Sequence, residues 1–279
     1  MNFEIKVSML GMEWYALADG YNADFLGDQY EVPLPKLRED LKDDIAPLLT
    51  GGYVLNYTHF SIVMSKSRRL AFFTAVNING SQQKNIKREN DSWYYDPRID
   101  QDFQAGPELY HNNDLDRGHL VRRRDPIWGD RAAAANEDTF HFTNCAPQHK
   151  DFNQKTWLHL EDYILNNAIT HQLKASVFTG PVFKDSDRTY RDIQLPEEFW
   201  KIAVMVKRDG NLSATAYLQT QKNHLGKLDF SYGEYETYQV AVSYIETLTG
   251  LDFGSLRNAD PLNTVGSSHI VASQGDIIF

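Results

Sequence analysis

Residues 116–119 read Asp-Arg-Gly-His, residues 144–148 read Asn-Cys-Ala-Pro-Gln, and residues 153–157 read Asn-Gln-Lys-Thr-Trp. These three strings bring together an imidazole, a guanidinium and four carboxamides. From the third string onward, apolar residues recur at the spacing of an amphipathic helix. They are Trp157, Leu160, Ile164, Leu165 and Ala168. The sequence therefore predicts that the third string opens a helix with one apolar face.

The residue types in these strings are suited to cutting a phosphodiester bond. His119 carries an imidazole whose usual pKa, about 6.5, lets it take a proton from water near neutral pH. Arg117 can place a planar, permanently charged guanidinium against phosphate oxygens. Mg²⁺ prefers oxygen ligands and keeps several waters, so a single asparagine carbonyl is a credible anchor. A zinc site is disfavoured, because it would need more nitrogen or sulfur ligands and the chain has one cysteine.

Glu161 follows Asn153 by two turns of the predicted helix. Residues at that spacing are rotated by about 80° and separated by roughly 12 Å along the axis. The two side chains would lie on neighbouring faces, with Glu161 tilted back toward the helix start. This separation argues against direct ligation by Glu161 if Asn153 holds the metal. We therefore assign Glu161 to hydrogen bonding with a metal-bound water, although alone it would be an ordinary exposed glutamate.

The arginines of the chain are concentrated near the first string. Arg122, Arg123 and Arg124 follow Arg117 on a chain of formal net charge −10 and pI about 5.3. Such a run usually forms a solvated face, but on an acidic chain it indicates a local anion site. Cys145 is expected to be a small buried residue, because hydrolysis through activated water needs no thiol nucleophile.

With these strings in place, the chain resembles the DNA/RNA non-specific endonucleases of the ββα-metal, or His-Me finger, class. That class includes secreted bacterial nucleases and mitochondrial endonuclease G. The resemblance rests on residues 116–119, 143–148 and 152–157 and on the glutamate eight residues after Asn153. It extends over nearly the whole chain, at residues 20–27, 59–78, 96–99, 138–144, 177–183 and 249–253.

The resemblance implies a role for each of the central residues. His119 would be the general base that activates water. Asn153 would be the direct protein ligand of a single Mg²⁺ or Mn²⁺, and Glu161 would orient the water shell of that ion. Asn144 would help to hold the site, and Asp116 would position the first string.

The arginines of the family are harder to place in this chain. Arg117 belongs to the signature string. A phosphate-gripping arginine usually lies just before a Trp-x-x-Asp-Pro-like segment, here residues 93–97. No arginine directly precedes it, so Arg88 or Arg98 must serve; we favour Arg88 for catalysis and expect Arg98 and Arg122 to bind substrate. A family arginine one turn after the glutamate is replaced by Leu165.

The remaining pattern predicts a mixed α+β fold with a central, mainly antiparallel sheet and the catalytic hairpin and helix on one side. Helices are predicted over Pro33–Leu49 and Tyr238–Thr249, the second stopping at Gly250. Strand-like runs lie at Tyr53–Met64, Leu70–Ile78, Ala175–Phe183 and Phe199–Val206. No convincing linker is visible, so we expect one domain over residues 1–279, with residues 1–50 as a lead-in packed on it.

Composition bears on location and partners. No apolar run reaches the roughly 18 residues that a membrane span needs. Residues 1–14 lack a basic start followed by a long apolar stretch, so we expect no Sec-type secretion if this start is native. We expect a cytoplasmic protein without a membrane partner, with export by another route left open. A homodimer is implied by the resemblance alone.

Three functions are compatible with these observations. The first is a metal-dependent, sequence-nonspecific endonuclease that takes DNA and RNA as substrates. The second is a phosphodiesterase restricted to one nucleic acid, or a nuclease effector controlled by an activator or inhibitor protein. The third is a non-enzymatic binding module with a decayed site. The intact set of His119, Asn153 and Glu161 favours the first function.

Overall fold

The computed structural model describes residues 8–88, 92–153, 158–221, 237–264 and 269–270. In chain order the strands are β1 (Ser8–Met9), β2 (Lys36–Leu37), β3 (Leu55–Tyr57), β4 (Phe60–Met64), β5 (Ala71–Asn79), β6 (Tyr94–Tyr95), β7 (Leu115–His119), β8 (Cys145–His149), β9 (Lys174–Val182), β10 (Thr189–Tyr190), β11 (Ile193–Gln194), β12 (Glu198–Val206), β13 (Leu212–Thr220), β14 (Thr237–Val240), β15 (Leu251–Asp252) and β16 (His269–Ile270). The α-helices are α1 (Ala132–Asp138), α2 (Lys150–Phe152), α3 (Leu158–Thr170) and α4 (Val242–Thr249). Short 3₁₀ helices span Met12–Leu17, Glu39–Asp44, Gly80–Gln82, Gln101–Phe103, Pro107–Leu109, Phe142–Asn144, Gly254–Ala259 and Pro261–Thr264.

Eight strands form one sheet in the order β16-β14-β13-β12-β9-β5-β4-β3. Every neighbouring pair in it is antiparallel. All nine residues of β5 are buried, as are eight of the nine in β9. Strands covered on both faces are rich in apolar residues, which is why both strands were predicted from the sequence. The predicted α+β fold with a mainly antiparallel sheet is confirmed.

Apolar cores cover both faces of this sheet. The first core contains the buried side chains of α3, and the second contains those of α4. Along β12, Phe199 and Ala203 belong to the first core and Trp200 and Ile202 to the second. This alternation follows from the two-residue period of a strand. Lys201 therefore shares the face that α3 covers.

Strands β7 and β8 form a separate antiparallel ladder on the α3 side. His119, the last residue of β7, is paired with Cys145, the first of β8. Strand β8 runs directly into α2, whose Phe152 packs on Phe199 of β12 with ring centroids 5.6 Å apart. The hairpin and the helices that follow it are thereby tied to the sheet, as predicted.

Two predicted helices are shorter than expected. Within Pro33–Leu49 the chain forms strand β2 and a 3₁₀ helix, because β2 pairs with β15. The predicted helix Tyr238–Thr249 begins as strand β14, which pairs with β13, so that α4 starts only at Val242. It ends as predicted at Gly250, whose φ of 70° is the left-handed conformation of a helix C-terminus. Residues 154–157 of the third string lie outside the described residues.

None of the helices in the described ranges is both long and apolar enough to span a bilayer.

The end of helix α3 lies directly against Gly80, the residue after β5. A Cβ atom on Gly80 would lie 1.9 Å from the carbonyl oxygen of Ala168. The main-chain N–H of Gly80 also donates to the carbonyl of Leu173 at 2.9 Å. Only a residue without a side chain permits this contact, which sets the height of α3 above the sheet.

We expect Gly80→Ala to lower the free energy of unfolding by about 1–3 kcal/mol, because the added methyl group would collide with helix backbone that cannot rotate away. Urea denaturation measures the change. The neighbouring exposed substitution Gln82→Ala is the control and should alter stability by less than about 0.5 kcal/mol. Equal midpoints for Gly80→Ala and the unsubstituted chain would contradict the close approach.

Candidate functional site

Asn144 anchors the end of β7 to the start of β8. Its side-chain Nδ2 donates to the carbonyls of Val121 and Thr139, both at 3.0 Å. Its Oδ1 accepts from the N–H of Val121 at 2.9 Å, and its own carbonyl accepts from the N–H of Leu120 at 2.9 Å. Asn144 is fully buried. It therefore holds in place the backbone that follows His119.

The imidazole of His119 is half-buried and packs on two aromatic rings that also contact each other, with the Trp93 and Phe140 centroids 5.6 Å apart. Its centroid lies 4.9 Å from that of Trp93 and 5.3 Å from that of Phe140. The guanidinium of Arg117 lies 5.4 Å from the Trp93 centroid, and that of Arg88 lies 5.5 Å from the Phe140 centroid. Each ring thus contacts the imidazole and one arginine. The structure brings together His119, Arg117 and Arg88.

Arg98 lies in a different environment from Arg88. Its guanidinium pairs with Asp96, with Nη2 and Oδ2 2.7 Å apart, and lies 3.9 Å from the centroid of Tyr15. It also donates from Nη1 to the carbonyl of Asn56 at 2.6 Å. The Arg98 side chain is only 12% exposed, whereas Arg88 is exposed. Arg98 is thus already engaged by an internal carboxylate.

The arginine run lies beside this group. Burial, and next the charge of Arg88, lower the pKa of Arg123, with smaller effects from Arg124 and Arg122. Arg123 donates to Oδ1 of Asn136 at 2.7 Å and to the carbonyl of Ile86. The mutual repulsion among these side chains indicates a concentration of positive charge of the kind that attracts an anion.

Asn153 follows α2 directly, and its side chain contacts the first string. Its Nδ2 donates to Oδ2 of Asp116 at 3.1 Å. Because the amide is planar, this bond turns the carbonyl oxygen of Asn153 away from Asp116. Asp116 therefore fixes the orientation of the amide, and the oxygen is of the hard type that Mg²⁺ or Mn²⁺ prefers.

Glu161 lies in a buried charge cluster and is only 7% exposed. Its Oε2 is 3.7 Å from Nε of Arg122, and its Oε1 is 3.4 Å from Nζ of Lys201. Arg122 also pairs with Asp162 at 2.5 Å. The pKa of Glu161 is raised from its usual 4.5 to about 7, because the effect of burial, with a smaller contribution from Asp125, outweighs the lowering by Lys201 and Arg122. Arg122, expected to bind substrate, here contacts two carboxylates.

Burial also accounts for the properties of two residues that have no direct part in the proposed chemistry. Cys145 is fully buried, and burial raises the pKa of its thiol to about 12, which suits an inert thiol and not a nucleophile. Leu165, at the position where the family has an arginine, is fully buried in the first core. An arginine directed to substrate would not fit at that position.

Sequence reasoning missed several residues of the site. Trp93 and Phe140 were not assigned, although Trp93 opens the segment that was used to look for a phosphate-binding arginine. Lys201 and Asp125 were also missed. The available signal for Lys201 was a single charge in the otherwise apolar run Phe199–Val206.

Comparisons with known proteins agree with this geometry. A family model described as DNA/RNA non-specific endonuclease matches residues 41–260. The uncharacterized protein y4fB of Sinorhizobium fredii is 38% identical over 93% of this chain and 42% of that protein. A nuclease of Nostoc sp. is 26% identical over 77% of each chain. Mitochondrial endonuclease G of Homo sapiens is 26% identical over 52% of this chain and 50% of that protein.

The chain spans about two fifths of the Sinorhizobium relative and half of the human one. Among solved structures, a chain from the crystal structure of the EndoG/EndoGI complex matches with a TM-score of 0.56. The match has 20% identity and covers 71% of this chain and 84% of that chain. At this identity the similarity concerns the fold, and it supports the predicted ββα-metal arrangement of hairpin and helix.

The pKa of Glu161 makes stability depend on pH. Its value is about 7 in the folded chain and about 4.5 in the unfolded chain, so the folded state holds the proton more tightly. In EDTA, we expect the Glu161→Gln variant to gain stability relative to the unsubstituted chain as pH rises from about 4.5 to 7. The relative gain reaches at most roughly 3 kcal/mol, at about 1.4 kcal/mol per pKa unit.

Urea unfolding of both chains at several pH values measures this gain. The Glu161→Gln variant has no buried carboxyl group to ionise, so its stability lacks this pH-dependent cost. It also leaves Arg122 and Lys201 less well paired, but this changes its stability by the same amount at every pH. A stability difference that stays constant across this pH range would show that the Glu161 pKa is not raised.

Proposed function

The chain belongs to the DNA/RNA non-specific endonuclease family, and from this premise we propose that it is a metal-dependent endonuclease that hydrolyses phosphodiester bonds in DNA and RNA without sequence specificity. One observation carries the proposal. The imidazole of His119 packs on Trp93 and Phe140, and the same rings contact the guanidinium groups of Arg117 and Arg88. A proton acceptor is thus placed beside two cations that can face a phosphate.

His119 is the general base in this proposal. It would take a proton from water as the oxygen attacks phosphorus, which is the task for which an imidazole is suited near neutral pH. Aromatic packing on two sides restricts rotation of the ring without supplying an opposite charge. The backbone position of the imidazole is set by the β7–β8 ladder and by Asn144.

Asn153 is the residue that would hold the metal. Its carbonyl oxygen has the right donor chemistry for Mg²⁺ or Mn²⁺, and Asp116 orients the amide from the opposite side. When bound, the cation would shield the phosphate charge and stabilise the departing oxygen. Glu161 would order the water around that ion, which is the role that its position in the sequence predicts.

The exposed Arg88 fits the role of phosphate-binding arginine better than Arg98. Arg98 would have to leave Asp96 and two tyrosine rings to reach substrate. Arg88 lies on the outer side of Phe140, and its charge depresses the pKa of Arg123. Because the chain as a whole is acidic, with a net charge of −10, we expect turnover without tight binding.

Control by a partner protein is part of the proposal. One matching solved structure is the EndoG/EndoGI complex, which concerns the mechanism of EndoG inhibition. We propose that this chain also binds an inhibitor or activator protein. Restriction to one nucleic acid remains the second candidate, and the substrate test below distinguishes it.

Cleavage of supercoiled plasmid and of a structured RNA, each with Mg²⁺, Mn²⁺ or EDTA, tests the proposed activity. We expect metal-dependent loss of both substrates and a decrease of about 100- to 10,000-fold in His119→Ala. Added imidazole should restore part of the rate, because it replaces the missing base.

His171→Ala is the matched control, since His171 is an exposed residue just after α3. It should cleave at the unsubstituted rate. Full activity in His119→Ala would refute the base assignment. Loss of only one substrate would favour a restricted phosphodiesterase, and no cleavage in any condition would point to a required activator or an inactive module.

A second prediction concerns the metal. Asn153→Ala should raise the Mg²⁺ concentration needed for half-maximal cleavage by at least about tenfold, because it removes the ligand oxygen. Exposed Asn263 supplies the control Asn263→Ala. An unchanged Mg²⁺ titration in Asn153→Ala would overturn the assignment of the ligand.

A further inference from the structure

Lys201 lies in the middle of β12, where an ammonium group is unexpected. It is paired with Thr179 of β9 on one side and with Tyr217 of β13 on the other. It is only 1% exposed. An ammonium group buried in a sheet is strongly destabilising unless hydrogen bonds and an opposite charge compensate for the lost water. Its partners therefore indicate why it is there.

The ammonium of Lys201 is directed to the helix that covers the sheet. Nζ donates to Oγ1 of Thr179 at 2.9 Å and lies 3.4 Å from Oε1 of Glu161. The other carboxylate oxygen of Glu161, Oε2, is 3.7 Å from Nε of Arg122. Each oxygen of Glu161 thus faces its own cation, one from the sheet and one from the loop after β7.

This cluster is not explained by stability alone. Buried ion pairs are often no more stabilising than apolar residues of similar volume. The charges that act on Glu161 are Lys201, Asp125 and Arg122, and burial together with Asp125 outweighs the two cations. Asp125 is itself 4% exposed, with a pKa raised by burial. Ionising these buried carboxyl groups therefore costs the fold stability.

The face of the sheet that carries Lys201 also supports the proposed metal ligand. Phe199 precedes Lys201 by two residues on the same face and packs on Phe152. Asn153 follows Phe152 directly. The same stretch of β12 therefore supports the chain on both sides of the proposed site, through an aromatic contact at α2 and a charge contact at α3.

We propose that Lys201 is a positioning residue for catalysis, which holds the carboxylate of Glu161 from the sheet while Arg122 holds it from the loop. This inference rests on the proposed function. Lys201 does not touch substrate or the reacting atoms. It acts through Glu161, whose carboxylate must stay in one orientation to order the water around the metal.

The test is a double-mutant cycle between Lys201→Met and Glu161→Gln. Methionine keeps most of the volume of lysine and removes its charge. We expect Lys201→Met to lower kcat on a fluorescent oligonucleotide by about 10- to 100-fold with little change in KM. The double variant should be no slower than Glu161→Gln alone, because Lys201 acts only through that carboxylate. Losses that multiply in the double variant would overturn the proposal.

Two further variants separate positioning from a general effect on folding. Thr179→Val removes the hydrogen bond to Nζ but keeps the charge and the volume, so it should reduce kcat in the same direction by less. Arg68→Met is the matched control, because it removes another buried cation, paired with Asp187 at 3.2 Å and remote from the site's contacts. Arg68→Met should lower Tm and leave kcat unchanged. If it lowers kcat as much as Lys201→Met, the positioning role is refuted.

A binding measurement distinguishes this inference from the proposed function. Mn²⁺ should raise the Tm of the unsubstituted chain, and the rise should shrink in Lys201→Met and in Glu161→Gln. If the chain cleaves no nucleic acid but shows this pattern of Tm changes, the nuclease proposal is refuted and the positioning role of Lys201 is retained. If the chain cleaves nucleic acid, and Lys201→Met has full kcat and an unchanged rise of Tm with Mn²⁺, the positioning role is refuted and the nuclease proposal is retained.

Discussion

The buried amide of Asn144 is the interaction on which the candidate site depends. The chain leaves β7 at His119, forms α1, and returns to β8 at Cys145. Asn144 joins the two ends of this segment through hydrogen bonds to the main chain of Val121 and Thr139. A carboxamide can donate and accept at once, whereas an apolar residue would leave buried main-chain groups without partners. The backbone that carries the imidazole of His119 is thus positioned by the amide of Asn144, which takes no part in the proposed chemistry.

Charge is separated within the site. Exposed Arg88 lies with Arg123 where their repulsion is only partly relieved, which favours an incoming anion. Arg122 and Lys201, by contrast, both pair with the buried carboxylate of Glu161. An acidic chain can therefore present a local positive surface, because some of its cations pair with internal carboxylates and others lie farther from them. Net charge alone would have argued against a nucleic-acid substrate.

The sequence predicted those parts of the fold and site whose signals are local. Strands β5 and β9 contain clusters of large apolar residues, and His119, Asn144 and Asn153 lie in short strings of recognisable chemistry. Strand β13 was missed because it has only small side chains from Ser213 to Ala216, without the large apolar or aromatic residues that mark β5 and β9. Helix α4 was predicted too long because pairing of β14 with β13 outweighs local helical spacing. Contacts of Trp93, Phe140 and Lys201 come from distant segments, which no local pattern reveals.

The buried thiol opposite His119 has a consequence of another kind. Only the thiolate reacts readily with alkylating reagents, and Cys145 is both inaccessible and held neutral by its surroundings. Labelling therefore requires the β7–β8 ladder to open. Because Cys145 is the single cysteine of the chain, the rate of alkylation under native conditions reports the free energy of that local opening. The protein carries its own probe of fluctuations beside the candidate base.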